Sequence, residues 1–285
     1  MLYPLVLTVA LIASVLCAAE CPAQGSGPTL DEVLLFHPVK YPEGDWSARN
    51  VVHQDVYFTA ADQTKLHGWY CPVDDPRAVV LWSHGNAGNI ALRTQWLRYL
   101  QSELKVAVFL FDYRGYGKSE GKPTVRGALQ DAEAARAKLR ELAKVNDRDI
   151  VLMGESLGGA IAVQLAANSP PRAIILQSTF SSLRDVATVH FPKLAWLVPK
   201  AKLDSESAIA NCNATILQSH GTEDRTIPLA LGKKLYQAAK MPKRFVEIEG
   251  ANHNDWLTND YIRQLDQFLA DLPASGVKTS GSSEK

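Results

Sequence analysis

Gly154-Glu155-Ser156-Leu157-Gly158 is a G-x-S-x-G run set between an apolar strand-like segment and a helix-like one. The spacing has a steric reason. A serine on a sharp strand-to-helix turn needs small residues two positions either side, so that strand and helix can approach. The hydroxyl then sits at a helix N-terminus, where the helix dipole favours developing negative charge. Such a serine can attack a carbonyl carbon if a base removes its proton. Of the seven histidines, His253 is the strongest candidate base, in Gly250-Ala251-Asn252-His253-Asn254-Asp255 after the last strand. A carboxylate is then needed to hold the imidazole in the right tautomer. Asp224, in His220-Gly221-Thr222-Glu223-Asp224-Arg225, gives the chain order Ser, Asp, His, with Glu223 as its competitor. The carbonyl oxygen needs two backbone N–H donors as it becomes an oxyanion. Leu157 supplies one, and Asn86 in His84-Gly85-Asn86-Ala87-Gly88-Asn89 the other. The blander alternatives are a serine helix cap, a Gly/Asn turn, a loop histidine and a solvated loop acid. His84 and His220 are read as supports of their loops.

These groups must be carried by regular elements. Residues Asp55 to Thr59 and Lys65 to Cys71 read as two strands joined by a turn. Ala78 to Ser83, Val106 to Phe111, Ile150 to Met153, Ala173 to Gln177, Thr215 to Gln218 and Phe245 to Ile248 are further short apolar strands. Between them, apolar residues recur at helical spacing. Examples are a helix near Ile90 to Glu103, the series Val125, Ala128, Ala132, Ala135 and Leu139, and the final Tyr261, Leu265, Phe268 and Leu269. The alternation predicts an α/β fold with a mostly parallel sheet covered by helices on both faces. Ligands bind beyond the carboxyl ends of such strands, where nearly every polar motif falls. Residues 180–211 interrupt the rhythm, and with Phe191, Pro192, Trp196 and Pro199 they read as a small cap with an apolar inner face over the site.

Taken whole, 285 residues fit one large domain, expected over 34–273. Thirty basic and thirty acidic residues balance, so nothing points to nucleic acid. Leu2 to Ala19 is apolar and uncharged. Residues 1–19 are therefore expected to be a signal peptide or an uncleaved N-terminal anchor, implying export or membrane attachment. A linker is expected over 20–33 and a disordered tail over 274–285. Without Cys17, the cysteines Cys21, Cys71 and Cys212 are odd in number, so at least one stays unpaired within the chain.

The runs HGNAGN, FDYRGYGKSEG, GESLGG, HGTEDRTIP and GANHND, in that order, resemble the α/β-hydrolase superfamily from about Leu34 to Leu272. Within it, the chain is similar to single-domain hydrolases that include membrane-anchored protein depalmitoylases and bacterial relatives. The resemblance implies Ser156, Asp224 and His253 as a catalytic triad, with Asn86 and Leu157 as oxyanion donors. It also singles out Asp112 and Arg114, read as an internal ion pair bracing the loops near the site. It implies a serine hydrolase acting on a small acyl ester or thioester through an acyl-enzyme, with no metal or organic cofactor. A peptidase or amidase with the same triad, and a non-catalytic binding protein on this scaffold, are the alternatives. The depalmitoylases carry an N-terminal cysteine cluster, whereas here only Cys17 and Cys21 lie near the leader.

Overall fold

The computed structural model describes residues 29–273; the leader and the tail expected at the two ends lie outside them. The described chain opens with helix α1 (Leu30–Leu35), so the expected linker gives way to ordered structure three residues before 33. Glu32 explains the early start. Its carboxylate accepts the backbone N–H groups of Thr29 and Val125, at 2.8 and 2.9 Å, and so ties α1 to the body. A short strand β1 (His37–Pro38) is followed by β2 (Gln54–Thr59), β3 (Lys65–Cys71) and β4 (Ala78–Ser83). Next come β5 (Ala87–Gly88), α2 (Thr94–Ser102), β6 (Val106–Asp112), α3 (Val125–Ala143), β7 (Ile150–Glu155) and α4 (Leu157–Asn168). The last part holds β8 (Ala173–Gln177), α5 (Leu183–His190), α6 (Ser205–Ala210), β9 (Thr215–Gly221), α7 (Leu229–Ala238), β10 (Lys243–Ile248) and α8 (Asn259–Asp271).

The main sheet runs β10-β9-β8-β7-β4-β6-β3-β2. The two pairings β2–β3 and β3–β6 are antiparallel, and the other five are parallel. A strand alternates its side chains between two faces, so a fully buried strand feeds two cores. In β4, Val79 and Leu81 join the core beneath α3 and α4, and Val80 and Trp82 join the one beneath α2 and α8. Phe109 and Leu110 in β6, and Leu152 and Met153 in β7, divide in the same way. The single helix expected near Ile90 to Glu103 is two pieces: a 3-10 turn (Ile90–Leu92), then α2, broken at Arg93. Cys71 and Cys212 are free and buried, and burial pushes both thiols up. Among the described residues no helix is long and apolar enough to cross a membrane.

Residues 180–211 form α5, a 3-10 turn (Ala195–Leu197) and α6. The expected apolar lining from this segment is not found: none of its residues lines the cavity that holds Ser156. Phe180, Leu183, Val198 and Ile209 instead turn into the core under α4 and α7. Val189, Phe191, Leu194, Trp196 and Leu197 face outward. Composition made the segment apolar, but two competing faces, core and solvent side, share those residues.

Candidate active site

Ser156 sits where β7 becomes α4, with φ 50° and ψ −118°. A left-handed backbone is costly for a non-glycine residue and persists only where its surroundings hold it. Here they do. The Ser156 N–H donates to Gln177 O at 2.8 Å, and its carbonyl accepts from Thr179 Oγ1 at 2.7 Å. The glycines on either side are required by contact. A Cβ on Gly154 would collide with the backbone of Gly158, and one on Gly158 with the backbone of Ser83 and His84. Leu157 opens α4, so its N–H is among those without an intrahelical partner.

Asp224 is buried in the loop between β9 and α7. Its Oδ1 accepts from Thr226 N at 2.9 Å and Ile227 N at 2.8 Å. Its Oδ2 lies 2.7 Å from His253 Nδ1 and 3.3 Å from His220 Nε2. Burial disfavours the carboxylate, but the hydrogen bonds from His220, His253 and the Ile227 N–H outweigh it and hold the group well below the usual carboxylate range. His220 Nε2 also lies 2.7 Å from Ile227 O. A carbonyl only accepts, so that nitrogen carries the proton and the ring supports the acid loop. The same logic puts a proton on His253 Nδ1, and Nε2 is the ring nitrogen turned away from Asp224. Glu223, the competitor in the sequence, is exposed.

Asn86 lies in the loop after β4. Its side chain donates to Leu35 O at 2.9 Å, and its carbonyl accepts from His37 N at 3.0 Å and Tyr116 Oη at 2.6 Å. The residue is thus fixed on three sides by α1, β1 and the loop after β6. His84 lies fully buried beneath this loop, its Nδ1 donating to Gly85 O at 2.7 Å. Burial keeps it neutral, well below the ordinary histidine value.

The expected Asp112–Arg114 ion pair does not form. Arg114 pairs instead with buried Asp131 at 2.8 Å and with Asp62 at 2.7 Å. Asp112 points the other way, accepting from Ile90 N at 3.0 Å, with His84 Nε2 3.7 Å distant. Two residues apart at the end of a strand, the two side chains leave the backbone under different constraints, and helix α3 brings Arg114 a better-placed partner. Burial pushes Asp112 up to about 7, against the Ile90 N–H and the positive charges of Arg93, Lys40 and Lys118.

Ser156 and His253 line one cavity of about 530 Å³, together with Asn86 and Thr226. Its apolar wall is Trp82, Leu92, Trp96, Trp256 and Leu257, from β4, the 3-10 turn before α2, the start of α2 and the chain after His253. A charged pair that spacing did not reveal also lines it. Glu155 Oε1 accepts from Gly85 N at 2.9 Å and from Arg93 Nε at 2.8 Å. The same guanidinium donates to Asn89 O at 2.8 Å and Ala87 O at 2.9 Å. Arg93 and Glu155 therefore clamp the loop around Asn86 to the residue that precedes the serine. Glu155 lies inside the G-x-S-x-G run and Arg93 just past HGNAGN, but 62 residues separate them, so only the folded chain pairs them. Among the described residues no cluster of His, Cys, Asp and Glu is placed to hold a metal ion.

Known proteins resemble this chain in sequence and in fold. The family model of the serine aminopeptidases, S33, matches residues 74–209. An uncharacterized protein of Mycobacterium tuberculosis is 38% identical over 228 residues, 78% of this chain and 80% of that protein. The Arabidopsis thaliana alpha/beta hydrolase domain-containing protein WAV2 is 34% identical over 244 residues, 77% of this chain and 79% of that one. Among solved structures, a Pyrococcus furiosus esterase superposes with a TM-score of 0.68 at 18% identity, covering 83% of this chain and 97% of its own. That likeness is one of fold. Identity of more than a third, held over about four fifths of both relatives, makes this chain a member of the α/β-hydrolase family.

Proposed function

We propose that the chain is a serine hydrolase that cleaves carboxylic esters or thioesters. Ser156 is the nucleophile, His253 the base and Asp224 the orienting acid. The observation that carries the reading is one cavity lined by a strained serine at a helix head and by a histidine whose far nitrogen is held by a buried carboxylate. Its volume falls in the range of small-molecule sites. In this reading Ser156 Oγ attacks the carbonyl carbon while His253 Nε2 takes its proton. The N–H groups of Asn86 and Leu157 receive the oxyanion. Collapse breaks the bond to the alcohol or thiol, which leaves with the proton from His253. Water, deprotonated by the same imidazole, then releases the acid and restores Ser156.

The apolar wall of Trp82, Trp96 and Trp256 suits an acyl chain, and a wall of that kind discriminates by only about 1–3 kcal/mol per methylene. A range of acyl lengths is therefore expected. The aminopeptidase reading, which the name of the matching family model raises, needs a free carboxylate to bind an amino terminus. Glu155 is the acid on the cavity wall, and Arg93 and Gly85 already engage it. The test is kcat/KM on p-nitrophenyl esters and acyl thioesters of increasing length, beside aminoacyl and peptidyl amides. Esters and thioesters should be cleaved faster. Faster turnover of the amides would move the chain to the peptidase reading.

A further inference from the structure

Five of the large exposed apolar side chains stand within nine residues, 189–197. They are Val189, Phe191, Leu194, Trp196 and Leu197, exposed by 44%, 52%, 54%, 71% and 52%. This exposure is built in. Ala195, Val198 and Leu203 are buried between and beside them. Arg184 Nε, from α5, donates to Val198 O at 2.7 Å and so pins the turn that throws Trp196 and Leu197 outward. A cluster of apolar side chains held in water by its own scaffold marks a surface with a partner.

The flanking charges say which partner. Between residues 186 and 203 the ionisable side chains are His190, Lys193, Lys200 and Lys202, all basic. Lys193 and Lys200 are exposed. Tryptophan among aliphatic residues with lysines at the margin suits the boundary between lipid headgroups and acyl chains. Anionic headgroups attract such lysines. The chain also arrives here. Lys202 Nζ donates to Thr29 Oγ1 at 2.9 Å, so the 28 residues before Thr29, with the apolar run Leu2 to Ala19, join the body beside this face. The face adjoins the cavity as well. His190, next to Phe191, contacts Thr226 O at 2.7 Å, and Thr226 lines the cavity.

We propose that residues 189–197 form a face that rests on an anionic lipid bilayer and sets the cavity mouth beside it. This contact does not depend on the chemistry assigned to Ser156. The test uses the full-length chain bound to vesicles of phosphatidylcholine and phosphatidylglycerol in equal amounts, carrying lipids brominated on the acyl chains. Bromine quenches tryptophan at close range. The expected result is quenching of the share of emission that belongs to one of the six tryptophans, lost in Trp196→Phe and reduced severalfold in a Lys193→Gln, Lys200→Gln double variant. Equal quenching of wild type and Trp196→Phe, or no binding of the full chain to these vesicles, overturns the proposal. So does self-association, seen as loss of iodide quenching of Trp196 with rising protein concentration in the absence of lipid. Hydrolysis of a water-soluble ester by the same samples tests the Ser156 reading separately, and Trp196→Phe should leave it unchanged.

Discussion

Asp224 and Glu223 are neighbours in sequence and opposites in environment. One is buried against His253, His220 and two backbone N–H groups, and the other faces solvent. Asp224→Asn keeps the shape but removes the acceptor that fixes the His253 tautomer. A loss of about ten-thousandfold in kcat is the expected outcome, with Glu223→Gln within a few-fold of wild type. Steady-state kinetics on one ester checks both, and a reversed ranking would reject the assignment. Arg93 is a positioning residue on this view, since it holds the carbonyls of Ala87 and Asn89 on either side of the Asn86 loop. Loss of one oxyanion donor costs about 100- to 1,000-fold in kcat. Loosening its support by Arg93→Ala should cost less, on the order of 10- to 100-fold, with KM little changed. Affinity for an alkyl boronic acid, which forms a tetrahedral adduct, should fall by a similar factor. Arg93→Lys should recover little, because one ammonium cannot reach Glu155 and both carbonyls at once. Unchanged boronate affinity in Arg93→Ala would make its role structural only. The placement of Ser156, Asp224 and His253 just past strand ends was legible because each motif follows a recognisable apolar strand. The clamp was not, because it joins residues whose separation in sequence has no regular period.

At the scale of elements, strands β4, β6 and β7 could be read from their apolar runs, and their bounds differ little from expectation. Polar residues at the strand ends were harder. Asp112 closes β6 in a fully buried position, and its real neighbours are Ile90 and His84, not Arg114. The consequence is a pH dependence with a definite sign. The folded carboxyl sits up at about 7 because burial disfavours its charge, whereas an unfolded aspartate titrates near 3.9. Between those values the folded state binds more protons than the unfolded one, so this group makes stability fall as pH rises from about 4 to about 7. Asp112→Asn removes the titration and keeps an acceptor for Ile90 N. The stability of the variant relative to wild type should therefore improve from about pH 5 to about pH 8, by at least about 1 kcal/mol. Urea melts at the two pH values check this, and a difference independent of pH would contradict it. The segment 180–211 shows another limit on legibility. Its apolar residues are split between the core and the outer face, and only the packing of α6 on α4 and α7, and of α5 on the 3-10 turn, decides which go where.

For the molecule as a whole, the doubly covered sheet gathers the loops after β4, β7, β9 and β10 around one cavity. Residues 86, 156, 224 and 253 come from four separate strand ends, so the proposed chemistry rests on the fold being complete. The neutral balance of charge gave no reason to expect nucleic acid, and the cavity's wall of tryptophan and leucine is the feature on which the proposed acyl ligand rests. The most direct measurement is reaction of the purified chain with a fluorophosphonate, followed by peptide mass spectrometry, in wild type and in Ser156→Ala. One covalent label on the peptide that contains Ser156 is expected. Both label and ester turnover should be lost in Ser156→Ala, turnover by up to about a millionfold, with the melting temperature near that of wild type. Turnover that survives in Ser156→Ala, or a label on another residue whose modification stops hydrolysis, would contradict Ser156 as the nucleophile.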